Sequence, residues 1–154
     1  MKARLKATGF SLSAFWDTSG IVPLCCLQTA SFQARQASRT YSQQAVWWGT
    51  SVEAISSFNR LIREKLLTAQ ESQQAFSRLQ YLRRRWDVVP PEMEVRDTAE
   101  KLLGSHKLRA ADALQLAAAL FWCRNFPRGQ HFIGADNDLL AAAAMEGFIV
   151  IRLR

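Results

Sequence analysis

The sequence predicts an α/β fold in which helices cover a parallel sheet on both faces. Short apolar runs alternate with longer segments of helical spacing along most of the chain. One of these segments, 110–126, is rich in Ala and Leu and is apolar almost all round, which is typical of a central helix. The last part of the chain spells a strand, a helix and a strand in succession. Such alternation is typical of parallel strands joined by crossover helices.

The first half of the chain contains two strands that are each followed by helices. Apolar runs at 13–16 and 45–48 each precede a polar turn. The stretch 28–44 is rich in Gln, Ser, Arg and Ala and lacks Pro and Gly, so it is able to form a helix. Two more helices are predicted at 52–65 and 68–86. The residues that mark their apolar faces are Val52, Ile55, Phe58 and Ile62 in one helix and Phe76, Leu79, Leu82 and Trp86 in the other.

The second half of the chain ends in the clearest βαβ unit. The predicted elements are a short strand at 88–89, a helix at 95–103, the central helix at 110–126, a strand at 131–134, a helix at 137–146 and a strand at 148–151. Gly104 and Gly147 are predicted to end the helices before them, because glycine is favoured just past a helix C-terminus. This pattern does not determine the order of the strands in the sheet.

Length and composition are typical of a single folded domain. The chain has 154 residues, of which 49% are hydrophobic and 21% charged. No apolar run reaches the roughly 18 residues of a membrane span, and the basic start lacks the apolar core of a signal peptide. We therefore expect one cytoplasmic domain at 13–154 that does not bind a membrane. Residues 1–12 are expected to form an extension that is either flexible or a mis-set start.

The net charge of +7 suits a polyanionic partner without identifying one. Residues 1–12 hold three positive charges and no acid, which leaves +4 for the rest of the chain. Three consecutive arginines at 83–85 would spread over most of a helix circumference. A solvated helix face is therefore favoured over a dedicated nucleic-acid track at that run.

The cysteines and histidines indicate neither a disulfide framework nor a zinc site. Cys25 and Cys26 are adjacent, and Cys123 is distant from both, so we expect reduced and buried thiols. His106 and His131 have no Cys or Ser partner at a spacing typical of a catalytic or zinc-binding pair. We expect structural or surface roles for both histidines.

Four acidic residues occupy positions that parallel strands would bring to one edge of the sheet. Asp17 follows the strand 13–16, and Asp136 follows the strand 131–134. Glu53 and Asp112 each lie in the first turn of a predicted helix. The carboxyl ends of parallel strands and the N-termini of the helices that follow them meet at the same edge. We therefore expect Asp17, Glu53 and Asp136 to lie close together, with Asp112 among them if its helix also begins at this edge.

Each of these acids also has a purely structural interpretation. Thr50 and Glu53 have the spacing of a capping box, and Asp136 is placed to cap the helix after it. Arg109 is three residues from Asp112 and is able to pair with it on the helix surface. Taken together, however, several converging carboxylates must raise their pKa values, find cations or bind a metal. Mg²⁺ or Mn²⁺ is the natural metal for an all-oxygen site.

Four segments of the sequence resemble the PIN domain, and most closely the VapC-type toxin ribonucleases. In order they are Phe-Trp-Asp-Thr-Ser-Gly-Ile-Val at 15–22, Thr-Ser-Val-Glu at 50–53, Leu-Arg-Ala-Ala-Asp-Ala-Leu-Gln-Leu-Ala-Ala-Ala-Leu at 108–120 and Phe-Ile-Gly-Ala-Asp at 132–136. Their order and spacing match over about 13–154. The resemblance implies a three-layer α/β/α sandwich with a central parallel sheet.

The resemblance also implies a set of site residues. The acidic, catalytic set would be Asp17, Glu53, Asp112 and Asp136. Of these, Asp17, Asp112 and Asp136 would hold Mg²⁺ or Mn²⁺, and Glu53 would complete the site or orient the attacking water. Ser19 would be a supporting polar residue. Asp138 is a further acid near the site, more typical of a dipole acid than of a ligand, although it could substitute for Asp136. Gly134 departs from the family, which often has Thr or Ser at this position.

The implied function is a metal-dependent endoribonuclease that hydrolyses RNA phosphodiester bonds. A VapC-type toxin implies a cognate antitoxin protein and a homodimeric enzyme. We expect an antitoxin segment to lie in a groove near Ile21, Leu24 and the helix from Val52, and to insert an Arg or Lys among the carboxylates. The alternative is a non-catalytic module that binds RNA or protein and uses its acids only as helix caps.

Overall fold

A five-stranded, all-parallel sheet forms the centre of the computed structural model, which describes residues 11–154. The strands are β1 (Ser13–Trp16), β2 (Gln43–Trp47), β3 (Asp87–Val89), β4 (His131–Gly134) and β5 (Ile149–Arg152). The helices are α1 (Thr18–Cys25), α2 (Ser31–Thr40), α3 (Thr50–Arg63), α4 (Ala69–Arg83), α5 (Met93–Ser105), α6 (Ala110–Trp122) and α7 (Asn137–Glu146). The strand order is β3-β2-β1-β4-β5.

Two hydrophobic clusters, one on each face of the sheet, confirm the predicted three-layer α/β/α sandwich. Phe15 and Phe132 pack with α5, α6 and α7 on one face. Trp16 and Ile133, their neighbours along the same two strands, pack with α1, α3 and α4 on the other. Because adjacent residues of a strand point to opposite faces, the uninterrupted apolar runs of β1 and β4 supply both clusters.

Local signals define several helix ends as predicted. Gly147 follows α7 with φ of 111°, a left-handed conformation that glycine adopts without strain, and its backbone N–H caps the helix. The strands on either side of α7 lie where the sequence predicts them. The helix α4 begins with a capping box in which Thr68 and Glu71 satisfy each other's backbone N–H groups.

Other helix boundaries differ from the prediction. Gly104 does not end α5 but lies within it, and a Cβ atom there would meet nothing within 4 Å. The helix α6 stops at Trp122, four residues early, and the chain turns through Arg124 and Asn125 with positive φ. Val52, predicted to face the core, is 66% exposed, because α3 buries Thr50, Ala54 and Phe58 instead.

The predicted extension at 1–12 lies mostly outside the described residues, which begin at Ser11. The backbone oxygen of Leu12 accepts a hydrogen bond from the N–H of Gln43, so this residue already pairs with β2. Within residues 11–154, no helix is long and apolar enough to cross a membrane.

The three cysteines and His106 are at least partly buried in the described part of the chain. Cys25 and Cys26 are free and buried, whereas Cys123 is only partly buried. Burial raises the pKa of the Cys25 thiol to about 12. His106 contacts the Glu146 carboxylate at 2.5 Å, which ties the end of α5 to the end of α7.

Candidate functional site

The structure brings the four acids of the sequence analysis to one cleft. Strands β1 and β4 are parallel neighbours, so Asp17 and Asp136, which follow them, leave the sheet at the same edge. Glu53 in the first turn of α3 and Asp112 in the first turn of α6 lie at this edge too. All four line a cleft of about 320 Å³, which we call the acid cleft.

Asp17 lies at the buried end of the acid cleft. It caps α1, and its Oδ2 accepts hydrogen bonds from the Ser19 backbone N–H at 3.1 Å and the Ser19 hydroxyl at 2.5 Å. Burial, with a smaller contribution from the Asp112 charge, raises the pKa of this carboxyl to about 6 against the opposing effect of the Ser19 hydrogen bonds. Ser19 Oγ also accepts the Ala135 N–H, so Ser19 links the loops after β1 and β4.

Glu53 does not form the capping box that its spacing predicts. Gly49 is the N-cap of α3 and provides no side-chain bond, while Thr50 is fully buried inside the helix. Instead, Glu53 accepts hydrogen bonds from Thr18 Oγ1 at 3.3 Å and Gln115 Nε2 at 3.1 Å. Burial, reinforced by the charge of Asp17, raises the pKa of Glu53 to about 7. The capping interpretation of Glu53 is therefore wrong.

Gln115 is a site residue that the sequence analysis missed. Its side chain is fully buried, and its amide also donates to Thr18 Oγ1 at 2.9 Å and Thr50 Oγ1 at 3.2 Å. The Gln115 Oε1 atom has no hydrogen-bond partner within residues 11–154. One signal was available: Gln115 is a polar residue in the apolar run of α6 and lies one helical turn after Asp112, on the same face.

Asp112 and Asp136 form the more open side of the acid cleft. Asp112 is half-buried, and burial and the Asp136 charge raise its pKa, while Arg109 opposes this. No ion pair joins Arg109 to Asp112 in the described structure. Asp136 does cap α7, since its Oδ1 accepts the Leu139 N–H at 2.8 Å, so its structural interpretation is confirmed.

A second cleft lies on the other side of these two acids. It has a volume of about 570 Å³, Lys107 and Arg109 line it, and we call it the second cleft. Asp112 and Asp136 line it together with Asp138, an exposed acid in the first turn of α7. The structure thus places Asp138 beside the acid cleft and not in its lining.

Gly134 lies close to the Asp17 carboxylate. A Cβ atom at this position would lie 3.2 Å from Ser19 Oγ and 3.4 Å from Asp17 Oδ2. A Ser or Thr here would therefore bring a second hydroxyl close to the carboxylate, beside that of Ser19.

The donor atoms around the acid cleft are chemically suited to a hard divalent cation. Its four acids supply carboxylate oxygens, and in the part of the chain described none of the four forms an ion pair. Residues 11–154 contain no group of three His, Cys, Asp or Glu side chains already arranged to hold a metal. Mg²⁺ keeps several of its waters and takes one or two protein carboxylates. The residues therefore fit a hydrated Mg²⁺ or Mn²⁺ that some acids contact only through water.

Comparisons with known proteins support the fold. No family model and no curated protein matches the sequence. The crystal structure of PAE2754 from Pyrobaculum aerophilum is similar, with a TM-score of 0.55 and 22% sequence identity over 92% of this chain and 91% of that chain. At this identity the likeness shows a shared α/β/α fold and nothing of function.

Proposed function

We propose that this chain is a Mg²⁺- or Mn²⁺-dependent endoribonuclease that hydrolyses RNA phosphodiester bonds. The observation that carries the proposal is the acid cleft, where burial and mutual repulsion raise the pKa values of Asp17, Glu53 and Asp112. Ionising several buried carboxylates together raises the free energy of the folded protein unless a cation neutralises their charge. Carboxylates with perturbed pKa values in a cleft are typical of catalytic sites. The resemblance to PIN domains supports RNA as the substrate.

The contacts of each acidic side chain indicate its role in the proposed reaction. Asp17, held by Ser19, would bind the metal together with Asp112 and Asp136, directly or through water. A bound Mg²⁺ or Mn²⁺ lowers the pKa of water and stabilises negative charge on the phosphate. Glu53 is held by Thr18 and Gln115, and its pKa of about 7 suits a group that orients the attacking water and accepts its proton.

Water is the nucleophile in this proposal, and the RNA 2′-hydroxyl does not attack the phosphate. The products would then carry 5′-phosphate and 3′-hydroxyl ends. RNA with a 2′-deoxy sugar at the scissile position would still be cut.

A non-catalytic binding module is the second candidate. Asp17 and Asp136 both accept a backbone N–H at the start of a helix, as structural caps do. This favours a structural role for two of the four acids. A capping role does not explain why Glu53, which forms no helix cap, is buried among other carboxylates.

As a toxin of this type, the chain would act in the cytoplasm as a homodimer and would bind a cognate antitoxin protein. Ile21 is fully buried, so the predicted antitoxin groove cannot be lined by it. A groove of about 570 Å³ that includes exposed Leu27 and Leu66 is adjacent, and it shares Gln28, Ala30 and Ala135 with the acid cleft. An apolar antitoxin segment would lie there and extend a basic side chain among the carboxylates.

RNA cleavage by wild type and Asp17→Asn tests the proposal. We expect cleavage of unstructured RNA in Mg²⁺ or Mn²⁺, no cleavage in EDTA, and a loss of about 100-fold or more in the variant. Asp97→Asn, which changes an exposed acid of α5, is the matched control and should cleave like wild type. Full cleavage in excess EDTA or cyclic-phosphate ends would refute the mechanism. RNA binding without cleavage in either metal would favour the binding module.

A further inference from the structure

A surface rich in arginine surrounds the start of the edge strand β3, at the end of the sheet away from the acid cleft. Arg85 and Trp86, just before β3, line a pocket with Ser11 and Ser42, which precede β1 and β2. These residues therefore lie at the amino end of the sheet, whereas the acid cleft lies at the carboxyl end. We call this the arginine surface, and its residues are Tyr81, Arg83, Arg84, Arg85, Trp86, Arg124, Phe126 and Arg128.

Two adjacent pockets connect the parts of the arginine surface. The first, of about 490 Å³, is lined by Arg85 and Trp86. The other, of about 620 Å³, is lined by Trp122 and Arg124. Asp87 lines both pockets, so they adjoin at the start of β3. No residue that lines these two pockets also lines the acid cleft or the second cleft, so the arginine surface is separate from the four acids.

The arginine surface has an excess of positive charge. Its five arginines are all exposed, and none of them forms an ion pair within residues 11–154. The acids that line the two pockets are Asp87 and Glu94. The helix α4 ends at Arg83, so the arginines at 83–85 extend beyond a helix end instead of spreading over a helix circumference. The helix dipole favours arginine near a helix C-terminus, which accounts for the charge of this run.

Exposed aromatic rings lie among the arginines, and the helix dipole does not explain them. Tyr81 is 58% exposed and Phe126 is 78% exposed. The Arg85 guanidinium lies 5.7 Å from the centre of the Tyr81 ring and donates a hydrogen bond of 2.9 Å to the Tyr81 hydroxyl, so each side chain orients the other. Phe126 is two residues from Arg124 on one side and two from Arg128 on the other. Both exposed rings are thus flanked by guanidinium groups.

A buried amide in the lining of the first pocket lacks a hydrogen-bond partner. Gln44 is 5% exposed, and its Oε1 accepts a hydrogen bond from Trp86 Nε1 at 3.0 Å. The Gln44 Nε2 atom has no partner among the residues that the structure describes. A buried donor without a partner lowers stability, and an oxygen atom of a ligand in the pocket would supply that partner.

We propose that the arginine surface binds a single-stranded nucleic acid, with bases stacked on Tyr81 and Phe126 and backbone phosphates bound by the arginines. An aromatic ring stacks on any base, and arginine binds phosphate through two parallel hydrogen bonds. The bases of a duplex are stacked inside the helix, so exposed rings favour a single strand. This site goes beyond the proposed nuclease, because it lies apart from the four acids and needs no metal.

The anisotropy of a labelled strand in EDTA tests the site. EDTA leaves the four acids without a cation, so they repel phosphate. The probe is a fluorescein-labelled, unstructured 12-nucleotide RNA, and its binding is measured over a range of KCl concentrations. The site variants are Arg85→Gln and Phe126→Ala. The matched controls are Arg35→Gln and Phe32→Ala, which change an exposed arginine and a 70% exposed phenylalanine of α2 that line neither pocket.

We expect Phe126→Ala to weaken binding about 5-fold or more through loss of stacking. Arg85→Gln should weaken it about 3- to 10-fold and lower the slope of log K against log salt concentration by about 0.7. Both controls should keep the wild-type affinity and slope. The site is refuted if wild type fails to bind, if both site variants bind like wild type, or if either control loses as much as they do. Equally tight binding of a duplex of the same length would refute the stacking.

Photocrosslinking locates the strand on the protein. The 12-nucleotide RNA is made with 4-thiouridine at alternate positions, irradiated with the protein in EDTA, and the crosslinked peptides are identified by mass spectrometry. We expect crosslinks within 81–86 and 124–128. The absence of crosslinks from both ranges would overturn the proposal, as would crosslinks confined to residues of the acid cleft.

A DNA strand of the same sequence identifies the kind of nucleic acid. Binding that depends on Phe126 and Arg85 with RNA alone would support the site as one for RNA. The same dependence with both strands would support a site for single strands in general. Neither result bears on the nuclease, which the cleavage assay with Asp17→Asn tests separately.

Discussion

Replacing Asp17 by Asn should stabilise the metal-free protein at high pH. The Asp17 carboxyl is 4% exposed, and its pKa rises from 3.8 to about 6, chiefly because of burial. A carboxyl with a higher pKa in the folded state holds its proton more tightly there than in the unfolded chain. Stability is therefore lost as the pH rises from about 4 through 6, and the loss is complete above about pH 7. Asn has no charge to bury and avoids this loss.

The size of the effect follows from the same values. At 1.36 kcal/mol per pH unit, the rise from 3.8 to about 6 corresponds to at most about 3 kcal/mol at pH 8. The Asn side chain keeps one acceptor oxygen for Ser19 but loses some of its hydrogen-bond strength. We expect a net gain of about 1–2 kcal/mol at pH 8 and none at about pH 4. Loss of the Asp17 charge would also lower the pKa of Glu53, which acts in the same direction.

Urea unfolding in EDTA at pH 4 and pH 8 measures the difference. Asp97→Asn, at an exposed position, should show no comparable gain with pH. Mg²⁺ should then stabilise wild type more than Asp17→Asn, because only wild type has the buried charge for the cation to neutralise. A variant that is less stable than wild type by 1 kcal/mol or more at pH 8 would show that the carboxylate acts mainly as a helix cap.

Two further substitutions test the surroundings of the acids. Gln115→Met removes the buried amide that holds Glu53 and should lower the free energy of unfolding by about 1–3 kcal/mol, whereas Gln74→Met at an exposed site should change it little. Equal effects of the two in urea unfolding would contradict the buried network. Gly134→Ser crowds the neighbouring carboxylate and should cost about 1–3 kcal/mol. Gly104→Ser, in open space, is its control, and an unchanged melting temperature in Gly134→Ser would show that the cleft accommodates the added atoms.

The C-terminal βαβ unit could be predicted almost to the residue because local chemistry marks both ends of its helix. Asp136 caps α7 and Gly147 ends it. The strand order could not be predicted, since the same alternation of strands and helices is compatible with any order of neighbours. The predicted end of α5 was wrong for a local reason. Gly104 is exposed and is tolerated inside the helix, so a glycine alone does not end a helix.

The positions of the acids could be predicted, but their partners could not. Asp17 and Asp136 follow parallel strands, and parallel strands end at one edge. The contacts of Glu53 depend on Gln115, which is 62 residues away and reaches it only through packing of α6 against the sheet. A local motif such as the capping box contains no information about that contact. The position of Arg60 in the lining of the cleft could not be predicted either, because the face that α3 turns to the cleft is set by Phe58 and Ala54 in the core.

The acids divide into a fixed inner pair and a more open outer pair, and this division bears on how the cleft would hold a cation. Asp17 and Glu53 are held by Ser19, Thr18 and Gln115, so they lose little conformational freedom when an ion binds. Asp112 is only half-buried, and Asp136 is exposed with one oxygen used as a cap. The fixed position of Asp17 favours affinity for the cation, and that of Glu53 favours a defined position for the attacking water, because both orientations are set before binding. The more open outer pair, Asp112 and Asp136, leaves room for water and phosphate around the cation.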